Sequence, residues 1–196
     1  MPGSSSSPPV SRVQRIVIVG VLAAIAFLMM AVVQIPLMPS APYLTYDPSD
    51  AVGLLAGTLY GPGVGVLTVL VKDILFLLFR ARGPFGPAAD FIAASTFVAV
   101  TAWAFRRGSG PLAPRLLQAV LIGTAARVAV MIPANFVILA LQFGMTPAKV
   151  ARMLLPVIIP FNGLKAAINA TVALILAEPF ARYAALRVPF TPADRR

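Results

Sequence analysis

Apolar segments recur along the whole chain, at about 13–33, 49–60, 62–80, 86–105, 115–141 and 156–181. A helix needs about 20 apolar residues to cross a bilayer, and all of these but the second approach that length. Hydrocarbon leaves no water for unpaired backbone groups, so such segments are expected to be helices rather than open strands. The composition agrees, with 59% hydrophobic and 11% charged residues in 196 and a mean hydropathy of +0.90. That is more apolar material than one soluble core of this size can hide. The expected architecture is an all-α membrane protein, a bundle of six transmembrane helices over residues 13–185. The Ser- and Pro-rich stretch 1–12 reads as a disordered tail, and 186–196 as a second tail. The run after Arg12 and Arg15 has the look of a signal peptide, but its length and the lack of a small-residue cleavage site before Gln34 favour a retained first span.

The second and third segments are special. In YLTYDPSDAVGLLAGTLYGPGVGVLTVLVK, residues 43–72, an aspartate-bearing loop runs into a glycine-spaced apolar stretch that meets a lysine. Ser49 or Asp50 is expected to cap the helix that begins there. Gly53, Gly57 and Gly61 recur every four residues, the spacing that lets membrane helices approach closely. Gly61-Pro62-Gly63 reads as a tight turn with Pro62 at a helix start, giving a hairpin. A five-helix bundle that merges the two segments is the alternative.

The net charge of +10 does not point to nucleic acid, because the basic residues sit at the ends of apolar segments rather than in one patch with aromatics between them. They report topology instead. With the N-terminus inside, Arg12, Arg15, Arg106, Arg107, Arg115, Arg182, Arg187, Arg195 and Arg196 face the cytoplasm, against Arg80, Arg82, Lys149 and Arg152 outside. This asymmetry predicts both termini in the cytoplasm.

Three cations remain inside spans: Lys72, Arg127 and Lys165. Each costs about 2.5–3.5 kcal/mol at mid-helix, so each needs a partner or a wet cavity. The acidic residues are Asp47, Asp50, Asp73, Asp90, Glu178 and Asp194. The first four are placed to serve, and Lys72 and Arg127 are expected to pair with Asp50, Asp73 or Asp90 and tie helices together.

Depth along the helices gathers a polar cluster on the outer side. Asn135 falls in the outer half of the fifth helix, Asn162 and Lys165 in the outer half of the sixth, which is expected to start near Pro156. Asp90 falls near the start of the fourth. Above them lies the loop 34–48, whose shapes Pro36, Pro39 and Pro42 restrict. Asn162 and Lys165 are spaced i, i+3 and share a face. An amide offers donors and acceptors together, which suits a heterocycle carrying carbonyls and ring N–H groups. Tyr43, Tyr46, Phe85, Phe91, Phe136 and Phe161 are candidate walls for such a ring. In the first helix the small residues Gly20 and Ala24 lie four apart, a surface for an internal neighbour or for another membrane protein.

These residues resemble the substrate-binding S components of energy-coupling factor transporters, and among them the riboflavin-specific type. The resemblance rests on YLTYDPSD, on GLLAGTLYGPGVGVLTVLVKD, on GPFGPAADF, on Asn135 in PANF and on PFNGLKAAIN, and it spans most of residues 15–180. It implies a six-helix bundle with riboflavin, as transported ligand and not cofactor, bound near the outer surface. Asn135, Asn162 and Lys165 would contact the flavin, with Asp90 close by, and Leu44, Thr45, Tyr46 and Asp47 would help close the pocket. Gly20 and Ala24 would form the docking face for a transmembrane coupling subunit that carries two cytoplasmic ATPases. Three positions depart from the family pattern: Pro48 stands where a large apolar residue is common, Asp73 replaces asparagine, and Asp90 stands near another asparagine. A carboxylate at position 90 can hold Lys165 in a salt bridge instead of leaving it for ligand.

The chain has no GxxxxGK[ST] phosphate loop, so ATP is expected to be handled by another subunit. No cysteine or histidine occurs, which removes thiol nucleophiles, imidazole acid–base chemistry and the usual zinc ligands, and with them the leading routes to an intramembrane enzyme. The remaining alternatives are an S component for another vitamin or small heterocycle, and a solitary ion-coupled carrier in which Asp50, Asp73, Lys72 and Arg127 form a relay.

Overall fold

Proline and glycine mark many of the helix boundaries, among them Pro48, Gly61, Pro62, Pro84, Gly108, Pro111, Gly144 and Pro147. The computed structural model describes residues 12–185, with side chains over 12–111 and 114–176. The expected tails lie outside these residues, except that Arg12 is already the first residue of α1 (Arg12–Val32). There follow a small antiparallel ribbon of β1 (Ile35–Pro36) and β2 (Thr45–Tyr46), then α2 (Ser49–Tyr60), α3 (Pro62–Phe79), α4 (Phe85–Arg107) and α5 (Leu112–Phe143). The described residues end in α6 (Pro147–Met153), a π-helical turn at Leu154–Ile158 and α7 (Ile159–Ala185), which run on without a break.

Among the described residues five helical stretches are long and apolar enough to cross a membrane: α1, α3, α4, most of α5, and the α6–α7 run. The sixth helix is different. α2 has 12 residues, roughly 18 Å at the helical rise, and every residue from Ser49 to Gly57 is buried. A helix that is apolar all round belongs in the middle of a bundle. α2 accordingly packs on α1, α3, α4 and α7 at once. The two-helix reading of residues 49–80 therefore holds, with Gly61 as the break: its φ of 109° lies where only glycine is comfortable, and Pro62 starts α3.

The glycine spacing works differently at its three positions. A Cβ on Gly53 would meet Val69 at 2.7 Å, and one on Gly57 would meet Val98 at 3.0 Å and Ala102 at 3.1 Å. These two permit close approach of α3 and α4. Gly61 faces open space and serves the turn alone. The third close contact comes from Gly65 of α3, where a Cβ would meet the Gly57 Cα at 2.7 Å and the Gly53 carbonyl at 2.8 Å. The core that results is small-residue and aliphatic, with Ala51, Leu54, Val69, Phe97, Val98 and Ala166 at its centre.

Two expectations about helix ends are corrected. Neither Ser49 nor Asp50 caps α2. Pro48 occupies the cap position and has no hydrogen-bonding side chain, so the preceding Asp47 accepts from the Ser49 N–H at 3.1 Å, and the Ser49 hydroxyl also donates to it. The last long helix begins not near Pro156 but at Pro147, capped by Thr146, whose hydroxyl accepts from the Lys149 N–H. Pro156 cannot supply a helical N–H, and the widened π turn around it lets the helix continue. α5 likewise runs past its expected limits with Pro133 inside it.

Candidate functional site

At the end of the bundle where α1, α3 and the α1–α2 connection meet the start of α4, a cavity of about 480 Å3 opens. That volume lies within the usual range for small-molecule sites. The connection forms its cover: Leu37 N–H donates to the Leu44 carbonyl at 3.3 Å, and the ribbon pairs Ile35 with Tyr46 and Pro36 with Thr45. Within β2, alternation turns Thr45 and Tyr46 to opposite sides. Leu44, Thr45 and Asp47 line the cavity, whereas Tyr46 turns into the protein and does not. Tyr46 is the one expected ligand-contact residue that the structure removes from the cavity.

The remaining expected residues converge. Asp90 of α4, Asn135 of α5, and Asn162 and Lys165 of α7 all reach the cavity wall. The π turn sits immediately before the α7 set, and Ile158, at its end, lines the cavity with Phe161, Asn162 and Lys165. Of the candidate aromatic walls, Tyr43, Phe85 and Phe161 line the space, joined by Phe76. Phe91 packs instead against the core around Ala51 and Phe97, and Phe136 against Leu139 and Val150. Tyr43 stacks on Phe143 at 4.9 Å, and its buried hydroxyl has no hydrogen-bond partner among the described residues. Burial raises the pKa of the Tyr43 phenol above its ordinary value. That of Tyr46 is raised by burial first and then by the carboxylates of Asp47 and Asp50.

Beneath the cavity lies a network of buried charges. Lys165 Nζ is 2.7 Å from Asp90 and 2.8 Å from Asp47. Asp90 also reaches Lys72 Nζ at 2.5 Å, and Lys72 lies 3.2 Å from Asp73 and 3.4 Å from Asp50. Asp50 in turn accepts from Arg127 Nη1 at 2.8 Å. The three intramembrane cations are thus matched by Asp47, Asp50, Asp73 and Asp90, as low-dielectric burial requires. Lys72 is fully buried and lies outside the cavity, so it acts as a tie between α2, α3 and α4. Lys165 is not a free ammonium awaiting ligand: the carboxylate at position 90 holds it, together with Asp47.

Arg127 belongs to the cavity wall as well as to the ion pairs, which charge pairing by itself did not suggest. The signal was present in the spacing. Arg127, Met131 and Asn135 are four apart and form one stripe of α5, and all three line the cavity. The guanidinium Nε donates to Asn162 Oδ1 at 3.1 Å, while Asn162 Nδ2 donates to the Ile158 carbonyl at 3.0 Å. Asn135 Nδ2 donates to the Met131 carbonyl at 2.7 Å. Asn169, deeper on α7, donates to the Asp47 carbonyl at 3.3 Å and ties the cover to the helix.

Gly20 and Ala24 lie outside the buried stripe of α1 formed by Leu22, Ala23, Ala26 and Met30. Both are exposed, and a Cβ on Gly20 would meet nothing within 4 Å. They do not pack an internal neighbour.

Residues 14–177 match the family model for the substrate-specific component of ECF transporters. The chain belongs to that family. A curated relative, riboflavin transporter RibU of Staphylococcus aureus (strain TCH60), is 33% identical over 177 residues, covering 87% of this chain and 92% of the relative. Riboflavin transporter FmnP of Bacillus subtilis (strain 168) is 29% identical over 164 residues, covering 79% and 85%. A solved S component of a bacterial ECF transporter superposes with a TM-score of 0.77 at 29% identity, covering 88% of this chain and 98% of that one. As an ECF S component the chain is a multi-pass membrane protein of a transport system, and its helical bundle matches the fold of the solved S component.

Proposed function

We propose that this S component binds riboflavin in the cavity beneath the α1–α2 connection and hands it inward when an ECF energising module acts on it. The observation that carries the reading is the pair of cavity amides, Asn135 and Asn162, set among aromatic walls in a space where every buried cation already has a carboxylate. Such a site has donors and acceptors for a heterocycle edge and no unpaired buried charge to offer, which suits a neutral flavin. The names of the S. aureus and B. subtilis relatives point the same way. Leu44, Thr45 and Asp47 cover the ligand, and Asp90 acts on it through Lys165.

The charge asymmetry at the segment ends supports an orientation with both termini cytoplasmic and the cavity open to the outside of a bacterial cell membrane. Gly20 and Ala24 supply the smooth face on which the transmembrane coupling subunit docks, and two cytoplasmic ATPases on that subunit supply the energy. The S component itself makes and breaks no covalent bond.

Titration of the purified protein with riboflavin, followed by quenching of flavin fluorescence, tests the reading. Saturable 1:1 quenching that Asn162→Ala weakens is expected. A folded protein that leaves the fluorescence unchanged at every riboflavin concentration would exclude riboflavin as its ligand.

A further inference from the structure

We infer that Arg127 is a positioning residue for ligand selection: it fixes which way the Asn162 amide faces and so which hydrogen-bonding edge the cavity accepts. The inference rests on the cavity being the riboflavin site. A guanidinium carries donors only, so whatever atom of Asn162 faces it must be the carbonyl oxygen. The geometry meets that demand, with Nε donating to Oδ1 at 3.1 Å. The other end of the same amide is held too, since Nδ2 donates to the Ile158 carbonyl at 3.0 Å. Turning the amide over would set NH2 against the guanidinium and oxygen against a carbonyl. Asn162 therefore presents one remaining lone pair and one remaining N–H in a fixed order.

Asn135 is held at one end alone, through Nδ2 to the Met131 carbonyl. Among the described residues no hydrogen bond orients its Oδ1, and this amide can adapt to the ligand. Arg127 is itself held: it is 1% exposed, and Nη1 is 2.8 Å from Asp50 Oδ2, which anchors the guanidinium to α2 while Nε reaches α7. Asp50, Arg127 and Asn162 thus form a chain from the central helix to the cavity wall. In riboflavin the pyrimidine edge alternates carbonyl, N–H and carbonyl, whereas the dimethylbenzene edge is apolar. An amide with a fixed donor–acceptor order distinguishes that edge from one whose central N–H is blocked by a methyl group.

The test compares binding of riboflavin and 3-methylriboflavin. Removing Arg127 alone would strand Asp50, so the informative protein is the charge-balanced double variant Arg127→Met with Asp50→Asn. The wild type is expected to prefer riboflavin by roughly a hundredfold, as sites built to hydrogen-bond a group reject ligands lacking it strongly. The double variant is expected to stay folded and bind riboflavin while its preference falls to within about threefold of unity. In an Asn162→Ala background the same two changes should alter the preference no further, because Arg127 acts through that amide. A double variant that keeps the wild-type preference, a wild type that shows none, or changes that remain additive with Asn162→Ala would each overturn the inference. A wild type that binds neither flavin would instead refute the riboflavin reading on which it rests.

Discussion

Removing the Lys165 ammonium should harm the fold much more than removing the Asp90 carboxylate, although the two groups are paired at 2.7 Å. The reason is the charge census of the network, which holds three cations, Lys72, Arg127 and Lys165, against four carboxylates, Asp47, Asp50, Asp73 and Asp90. In Lys165→Met the side chain of Asp47 loses its cation, and its carboxylate keeps only its contacts with Ser49. Breaking a buried pair from one side costs about 3–5 kcal/mol. At about 2–4 °C per kcal/mol for a chain of this size, the ligand-free protein should melt roughly 10 °C lower. In Asp90→Asn each of the three cations still has a carboxylate partner. Lys72 retains Asp73 at 3.2 Å and Asp50 at 3.4 Å, and Lys165 retains Asp47 at 2.8 Å. The loss is then one of hydrogen-bond strength, about 1–3 kcal/mol, and a few degrees. The double variant should melt above Lys165→Met, a non-additivity expected of groups in one network. Thermal unfolding in detergent without riboflavin keeps ligand linkage out of the measurement. If Asp90→Asn melts as low as Lys165→Met, or the double variant lower than either, the charge-balance reasoning is wrong.

Three other outcomes are expected. Gly65→Ala should destabilise the protein by about 1–3 kcal/mol in the same assay, because its Cβ would meet backbone atoms of Gly53 and Gly57 that cannot swing away, while Gly63→Ala, facing open space, should be tolerated. In alkaline titration followed by tyrosinate absorbance, Tyr43 and Tyr46 should ionise above the ordinary tyrosine range, identified by loss of the late phase in Tyr43→Phe and Tyr46→Phe. Because the folded-state pKa values are raised, their contribution to stability should be full below the unfolded value near pH 10 and should fall as the pH rises through the folded values. Gly20→Leu and Ala24→Leu should leave riboflavin binding unchanged and lower uptake by cells carrying the complete transporter at least severalfold; equal loss of binding would place these residues in the ligand site instead.

Much of the architecture follows from local rules that act on neighbours in sequence. Apolar length makes spans, Gly61-Pro62 makes a turn, and a segment apolar on every side, such as residues 51–57, must be central. The convergence of Asp90, Asn135, Asn162 and Lys165 was legible because helix rise converts residue number into depth. Depth is not direction, however. Phe91 and Phe136 lie at suitable heights but face other helices, and Tyr46 sits one residue from two cavity residues on the wrong side of a strand. The helix starting at Pro147 was hidden because proline reads locally as a boundary, whereas packing along the α6–α7 run sustains a π turn through Pro156.

The sequence by itself determined that this chain lives in a membrane, that its helices pack through glycine, and that it carries three cations needing partners there. It also determined the family, through motifs that survive as strings of residues. Only the tertiary structure decided how those cations are shared. Lys165 is held by Asp47 and Asp90 from two other elements, and Arg127 divides its donors between Asp50 and Asn162 across three helices. Such choices are made by distances of about 3 Å between residues 35 to 118 positions apart, where Coulomb attraction in a low dielectric dominates, and no local pattern encodes them.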